Sequence, residues 1–97
     1  MTPEERIIYF ESLMDRLDEA AEVLEEALDV FHEAQPLAAE LEEYYDGGQW
    51  REDFEADEAG RFPDSLKRGV LSEDALFNTL TRNRELRERV SFYEDEE

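Results

Sequence analysis

The first third of the chain constrains its fold more than any other stretch. Between Glu4 and Phe31, apolar side chains recur at alternating steps of three and four residues, the period of an α-helix. They are Phe10, Leu13, Leu17, Ala20, Leu24, Ala27 and Phe31, with Met14, Ala21 and Leu28 widening the stripe. A strict two-position seam would be narrower, so we expect one long helix that faces more than one neighbour.

Both ends of this helix carry local signals. Thr2 is the expected N-cap, Pro3 occupies the first helical position, and Glu5 stands three residues after Thr2, as a capping box requires. At the other end, Gln35-Pro36 is expected to break or kink the helix, because proline lacks a backbone N–H and disfavours helical geometry in the residue before it.

The opposite side of the helix is acidic. It carries Glu11, Asp15, Asp18, Glu22, Glu25 and Asp29, here called the acidic row. Like charges at this spacing weaken an isolated helix by roughly 0.2–0.5 kcal/mol per pair, so the apolar side must hold the helix in place. Two interpretations remain open: a solvated surface, or a row of carboxylates that a basic partner recognises.

The charge of the whole chain restricts its partners. A formal net charge of −19 over 97 residues repels nucleic acid and anionic lipid, so we expect neither direct nucleic-acid binding nor membrane binding. It favours a basic protein partner, cations or simple solubility. The charge is also uneven, since residues 1–60 hold 20 acids and 3 bases whereas residues 61–97 hold 9 acids and 7 bases. One half can therefore attract the other, within a chain or between two copies.

Two absences bear on location and chemistry. With no cysteine, disulfides and thiolate chemistry are excluded. No signal peptide opens the chain, and no apolar run approaches the roughly 20 residues that span a bilayer, so a cytoplasmic location is expected.

The middle of the chain is expected to form shorter elements. A second helix over residues 36–46 ends at Gly47-Gly48, and a third runs from about Gln49 to Glu58 with Gly60 as its stop. Residues 65–68 are expected to form one more turn, closed by Gly69 in the left-handed conformation.

The last helix begins after Ser72, its expected N-cap. Its apolar side consists of Leu76, Leu80, Leu86 and Val90, and its basic residues are Arg82, Arg84, Arg87 and Arg89. These arginines are candidates to pair with the acidic row.

The fold class that follows is all-α, of helical-bundle type. We expect a long N-terminal helix lined by two shorter main helices, with an aromatic-rich connecting segment, as one domain over residues 1–93 and an acidic tail at 94–97. The first helix is roughly 45 Å long and the two shorter ones together just match it. One such layer leaves part of the stripe uncovered, which a homodimer or a second protein would close.

The middle of the chain also carries a resemblance. It lies in Tyr44-Tyr45, Trp50, the run Asp53-Phe54-Glu55-Ala56-Asp57-Glu58-Ala59-Gly60, Pro63, and the run Leu66-Lys67-Arg68-Gly69-Val70-Leu71-Ser72-Glu73-Asp74. With these residues the chain resembles a family of short prokaryotic proteins catalogued only as a domain of unknown function. The likeness extends over nearly the whole chain and implies a small helical bacterial protein. It assigns no activity to any residue.

Candidate chemistry is sparse. Asp53, Glu55, Asp57 and Asp64 match the acidic positions of a calcium loop, but Glu58 stands where that loop requires glycine. We therefore interpret these carboxylates as solvated or arginine-paired, and predict no metal and no cofactor. His32 is expected at a helix end, without a marked nucleophile or orienting group, so no catalytic residue is predicted.

Trp50 and Phe54 are one helical turn apart, close in sequence to Tyr44 and Tyr45. Such aromatics are either an exposed binding patch or the hub that pins a short helix to longer ones, and we favour the hub.

The sequence thus indicates a non-enzymatic interaction or regulatory module that self-associates. The alternative is a mimic of nucleic acid that binds the basic groove of a DNA- or RNA-binding protein. The residues predicted for partner binding are the six of the acidic row together with Trp50 and Phe54.

Overall fold

The structure is a computed structural model, and it describes residues 1–95, with side chains through residue 91. Its helices are α1 (Pro3–Asp46), α2 (Gln49–Glu58), a short 3₁₀ helix (Gly69–Leu71) and α3 (Glu73–Asp95). The predicted all-α class is confirmed: a long N-terminal helix is followed by two shorter ones, and residues 1–95 contain no strand. Of the predicted acidic tail, Glu94 and Asp95 end α3, and residues 96–97 lie outside the described residues.

The chain divides into two compact units, Met1–Gln35 and Pro36–Glu97. The first unit holds α1 up to Gln35. Its N-terminus is closed by a capping box, since the Glu5 N–H donates to the Thr2 hydroxyl at 3.2 Å and the Thr2 N–H donates to the Glu5 carboxylate at 3.4 Å. These two bonds satisfy backbone donors that the first turn leaves free, and they confirm the predicted cap.

Of the two outcomes expected at Gln35-Pro36, a break or a kink, the break is wrong, and so is a separate helix over residues 36–46. α1 continues through Pro36 to Asp46. Proline lacks the N–H that would donate to the His32 carbonyl, so the helix loses one backbone bond there. Gln35 Nε2 donates to the Phe31 carbonyl at 3.0 Å in the same turn, but this bond does not replace the lost one. Strong helix formers on both sides, Ala34 and the run 37–40, supply the propensity that carries the helix across. The predicted end at Gly47-Gly48 is confirmed, and Gly48 has a positive φ of 94°.

Helix α2 ends as its sequence predicts. The Arg61 N–H donates to the Ala56 carbonyl at 3.2 Å, and the Gly60 N–H donates to the Asp57 carbonyl at 3.0 Å. This is the Schellman pattern, in which the residue after the cap adopts a left-handed conformation. Gly60 has a φ of 73°, which explains why glycine is needed at that position.

Replacing Gly60 with Ala should destabilise the fold by about 1–2 kcal/mol, because a left-handed conformation is strained for any residue with a Cβ. Space is not the cause, since nothing lies within 4 Å of the added Cβ. Gly69→Ala is the matched control: Gly69 has equally open surroundings without a positive φ, so we expect no loss or a gain of about 0.4–1 kcal/mol. Urea titrations followed by circular dichroism would measure both. Equal effects of the two substitutions would contradict the argument from φ.

The predicted turn over residues 65–68 with a left-handed Gly69 is wrong. The turn lies slightly earlier, where the Leu66 N–H donates to the Pro63 carbonyl at 3.1 Å. Gly69 opens the 3₁₀ helix and has no positive φ. This placement buries Leu71 and directs the Val70 carbonyl to the side chain of Trp50, so packing sets the local conformation.

Helix α3 starts at its predicted cap. The Ser72 hydroxyl accepts the Ala75 N–H at 3.3 Å, and the Ser72 backbone is extended, as an N-cap residue requires. Burial of its apolar side decreases along the helix: Leu76 and Leu80 are buried, whereas Leu86 and Val90 are half-buried. α3 therefore anchors to the core through its first two turns.

Through residue 91, every buried side chain lies in the second unit. Its buried members are Trp50, Leu71, Leu76 and Leu80, against which Leu41, Tyr44, Tyr45, Phe54 and Phe62 pack as half-buried residues. A chain of this size has little apolar area to bury in any case, and four buried side chains make a small core. Among the described residues, no helix has the length and apolar content that crossing a membrane demands.

Candidate interaction surface

The apolar stripe of α1 is exposed over most of its length. Leu17 and Leu24, at its middle, are 71% and 59% exposed. The large apolar side chains exposed between residues 7 and 30, here called the exposed stripe, are Ile7, Ile8, Tyr9, Phe10, Leu13, Met14, Leu17, Val23, Leu24 and Val30. Monomeric soluble proteins rarely expose a contiguous apolar patch of this extent, and such patches mark interaction sites.

The stripe continues beyond its exposed part. The same three-and-four spacing leads from Phe31 through Ala34 and Ala38 to Leu41 and Tyr45, and all five are half-buried. Leu41 and Tyr45 pack against the buried core. A single helical face therefore serves as a packing surface near its C-terminal end and stays exposed to water before residue 31.

All six residues of the acidic row are exposed. Met1–Gln35 holds eleven acidic residues against two arginines, and between Tyr9 and Phe31 each acid stands off the positions that form the stripe. From Tyr9 onward the helix thus presents an apolar flank and a separate anionic flank, whereas Ile8 lies on the anionic side, in line with Asp15. Of the arginines of α3, Arg84 lies 3.8 Å from Glu42 rather than next to a row residue, and an exposed pair at this distance adds little stability.

Trp50 organises the second unit. Its Nε1 donates to the Val70 carbonyl at 2.9 Å, which ties α2 to the 3₁₀ helix. Its ring stacks on Phe54 at 5.1 Å between centroids and meets Tyr45 at 5.1 Å in a tilted arrangement. The interpretation of these aromatics as a hub is confirmed. Trp50 is only 3% exposed and offers a partner almost no surface, whereas Phe54 is half-buried.

Two tyrosines connect the end of α1 to later segments. The Tyr44 hydroxyl donates to Asp53 at 2.6 Å, and the Tyr45 hydroxyl donates to Glu73 at 3.2 Å. Burial first, and then the Asp53 carboxylate, raise the pKa of Tyr44 to about 12. Burial and the Glu73 carboxylate raise the pKa of Tyr45 as well. Both phenols are held neutral as donors, because ionising either would place a negative charge beside a carboxylate.

The Tyr44 contact predicts a loss of stability in alkali. Its folded-state pKa of about 12 lies above the unfolded value of 10.0, so the folded form keeps its proton longer. The contribution to stability is fully present below pH 10 and is lost as the pH rises from about 10 through 12. Tyr44→Phe should remove this part of the pH dependence and cost about 1 kcal/mol at neutral pH. Urea titrations at several pH values would measure it, and an unchanged alkaline profile would contradict it.

The acidic positions that resemble a calcium loop are engaged in different ways. Asp53 accepts the Tyr44 hydroxyl, and Asp57 is paired with Arg68. Glu55 lies on the exposed side of α2, and Asp64 lies in the exposed turn after it. Within residues 1–95, no three His, Asp or Glu side chains converge as a metal site would require. The Asp57–Arg68 pair agrees with the interpretation of these groups as arginine-paired.

His32 does not lie at a helix end, contrary to the sequence-based expectation. α1 runs on to Asp46, so His32 occupies an exposed position in the helix interior. The error follows directly from the expected break at Pro36. With the helix end elsewhere, the favourable interaction of a cation with a helix C-terminus does not apply to this residue.

An open groove of about 570 Å³ lies where α1 meets α2. Its lining residues are Leu37, Glu40, Leu41, Glu43, Tyr44 and Gln49. Glu40, Glu43 and Tyr44 are the titratable side chains of its lining, and the Tyr44 hydroxyl already donates to Asp53, so the groove presents a mixed apolar and acidic surface.

A sequence model of one known protein family covers most of this chain. The sequence model described as Domain of unknown function (DUF4298) matches residues 7–91. The chain belongs to this family. The DUF4298 match begins at the first residue of the exposed stripe and ends within α3, so the stripe is part of the family's domain rather than an appended segment. No curated protein and no solved structure matched the sequence.

Proposed function

We propose that this protein is a non-enzymatic protein–protein interaction module of the bacterial cytoplasm, which self-associates and thereby scaffolds or regulates a partner protein. The observation that carries the proposal is the exposed stripe of α1, with Leu17 71% exposed at its centre. A helix that presents this much apolar surface to water gains free energy when another surface covers it, at about 25 cal/mol per Å².

The separation of charge from the stripe supports association through apolar contact. Each acid of α1 between Tyr9 and Phe31 lies outside the stripe. A surface that covers the stripe therefore buries no carboxylate and avoids the large desolvation penalty of a buried charge. Repulsion between the acidic flanks of two copies remains, but salt at physiological ionic strength screens it beyond about 8 Å.

Sedimentation equilibrium or light scattering over a wide range of concentrations tests this proposal on the full chain. The expected result is a mass that rises from one chain to two as concentration increases, with a stronger tendency to associate at moderate salt than at low salt. A mass of 11.5 kDa at all concentrations and salt levels would contradict it.

A second candidate function is supported by the exposure of the whole acidic row. Its carboxylates recur about every 5 Å along the helix, comparable to the spacing of phosphates along a nucleic-acid strand. A protein with such a row can occupy the basic groove of a DNA- or RNA-binding protein. This role is compatible with self-association, because the row and the stripe are on different sides of α1.

Affinity capture from lysate of the native bacterium would test the mimic, with the triple variant Glu22→Gln, Glu25→Gln and Asp29→Asn beside the unaltered protein. A basic partner that is lost both from the variant and at raised salt would support it. A partner retained under both conditions would remove this candidate, without bearing on self-association.

A further inference from the structure

We propose that the exposed stripe is closed by the same stripe of a second copy, with the two α1 helices antiparallel and the two-fold axis passing between Asp18 and Glu19. This inference rests on the proposed self-association and specifies its geometry. It follows from the sizes of the stripe residues, from their exposure and from the position of the charges.

The sizes of the side chains favour antiparallel pairing. The centre of the apolar face of α1, here called the seam, consists of two rows in which residues are seven apart. In its exposed part, one row holds the large residues Phe10, Leu17 and Leu24, and the other holds Leu13, Ala20 and Ala27. In a parallel pair each residue meets its own equivalent, so leucine faces leucine and alanine faces alanine. Layers of such unequal width leave voids, which closely packed interiors avoid.

Antiparallel pairing places large residues against small ones. With the axis between residues 18 and 19, Leu17 faces Ala20 of the second copy and Phe10 faces Ala27 of the second copy. Leu24 then faces Leu13 of the second copy. The three layers differ less in combined volume than those of a parallel pair, where Phe10 faces Phe10 and Ala20 faces Ala20, so the side chains of one helix can better fill the spaces between those of the other.

The seam of this register consists of exposed positions only. The two-fold axis places each seam residue between Phe10 and Ala27 opposite another seam residue of the second copy, as a two-fold symmetric interface requires. All six of these residues are exposed, whereas Phe31 and Ala34, the next seam positions, are half-buried. The part of the helix that needs a cover is therefore complementary to itself.

The flanking positions agree with the same register. Beside the seam, Met14 meets Ala21 of the second copy, and Tyr9 meets Val30 of the second copy. Ile7 meets Leu28 of the second copy, and the apolar stem of Arg16 passes over Val23 of the second copy. No carboxylate enters the interface, because every acid of this segment stands on the outward side.

The area is sufficient for a stable pair. A specific interface buries at least about 1,200 Å² in total, so each copy must contribute about 600 Å². Spread over the nine side chains of the exposed stripe other than Ile8, which lies on the acidic side of the helix, this is about 67 Å² from each. Side chains of this size that are 36–71% exposed can supply that area.

Spin labels measure the direction of the helices, and the absence of native cysteine allows single-site labelling. Glu4→Cys and Glu19→Cys each carry one nitroxide outside the stripe, and distances between the two copies are read by pulsed electron resonance. In the proposed pair the labels at residue 4 are separated by about 43 Å along the axis, whereas the labels at residue 19 lie under about 25 Å apart.

The outcomes separate this inference from the proposal on which it rests. A long distance at residue 4 with a short one at residue 19 supports it. Short distances at both sites indicate a parallel pair and overturn the inference, while self-association stands. If neither site gives a distance and the mass stays that of one chain, both the geometry and the proposed function are wrong.

Discussion

Replacing Leu17 and Leu24 with Glu is expected to raise the dissociation constant of self-association at least about 1,000-fold, leaving a monomer at micromolar concentration. Each leucine contributes about 1.5–3 kcal/mol when fully buried, and a two-fold pair contains four of them. Their replacement also forces carboxylates against apolar surface, which adds a desolvation penalty. Sedimentation velocity would measure the change in mass.

The variant tests association rather than folding. Leu17 and Leu24 are outside the buried core, and glutamate is nearly as good a helix former as leucine. The helical circular dichroism signal of the second unit should therefore persist. If the double variant associates as tightly as the unaltered chain, the exposed stripe is not the interface.

A matched control separates lost apolar contact from added charge. Ser12→Glu with His32→Glu places the same two extra negative charges on α1, at exposed positions outside the stripe. We expect this control to weaken association less than tenfold, because the added charges stay in water and are screened. An equal loss from both double variants would indicate that net charge, not the stripe, governs association.

Trp50→Ala is expected to destabilise the second unit by about 3–5 kcal/mol, because it empties the centre of a core that has four buried side chains among residues 1–91. A domain is stable by only about 5–15 kcal/mol in total, and a small core lies at the lower end. The cooperative transition in urea should therefore shift to low concentration or vanish. Amide hydrogen exchange in α3 reports on this unit directly, since Leu76 and Leu80 anchor that helix.

Two further substitutions should destabilise the second unit less than Trp50→Ala does. Trp50→Phe keeps most of the ring contact but leaves the Val70 carbonyl without its side-chain donor, and should cost about 1–3 kcal/mol. Phe77→Ala removes an aromatic of α3 that is 60% exposed and should cost less than about 1 kcal/mol. If Phe77→Ala destabilised the unit as much as Trp50→Ala, the hub would not be the centre of the core.

Local signals in the sequence predicted the helix ends well where one short-range interaction decides them. The capping box at Thr2 and Glu5, the N-cap at Ser72 and the glycine stop at Gly60 all involve groups within five residues of one another. Such interactions are present whatever the remainder of the chain does. The expected break at Pro36 was wrong for the complementary reason: the local cost of proline is real, but the helix propensity of the flanking residues outweighs it.

Tertiary contacts over longer separations were beyond the sequence. Nothing local links Tyr45 to Glu73, or the Trp50 indole to the Val70 carbonyl twenty residues later. The conformation of Gly69 depends on the second of these contacts, which is why the expected left-handed turn is absent. Apolar periodicity identified Leu76 and Leu80 as core residues without indicating that Trp50 would be the side chain they surround.

The sequence alone determined that α1 has an apolar flank and a separate anionic flank, because the three-and-four spacing of a helix converts residue order into faces. Only the tertiary structure decided which part of the apolar flank the chain covers by itself. Leu41 and Tyr45 pack on the core, whereas Leu17 and Leu24 stay exposed, and residue type does not distinguish the two ends of one continuous stripe. The physical reason is that burial depends on what the remaining 51 residues after α1 can reach and fill, and here their apolar side chains gather around Trp50.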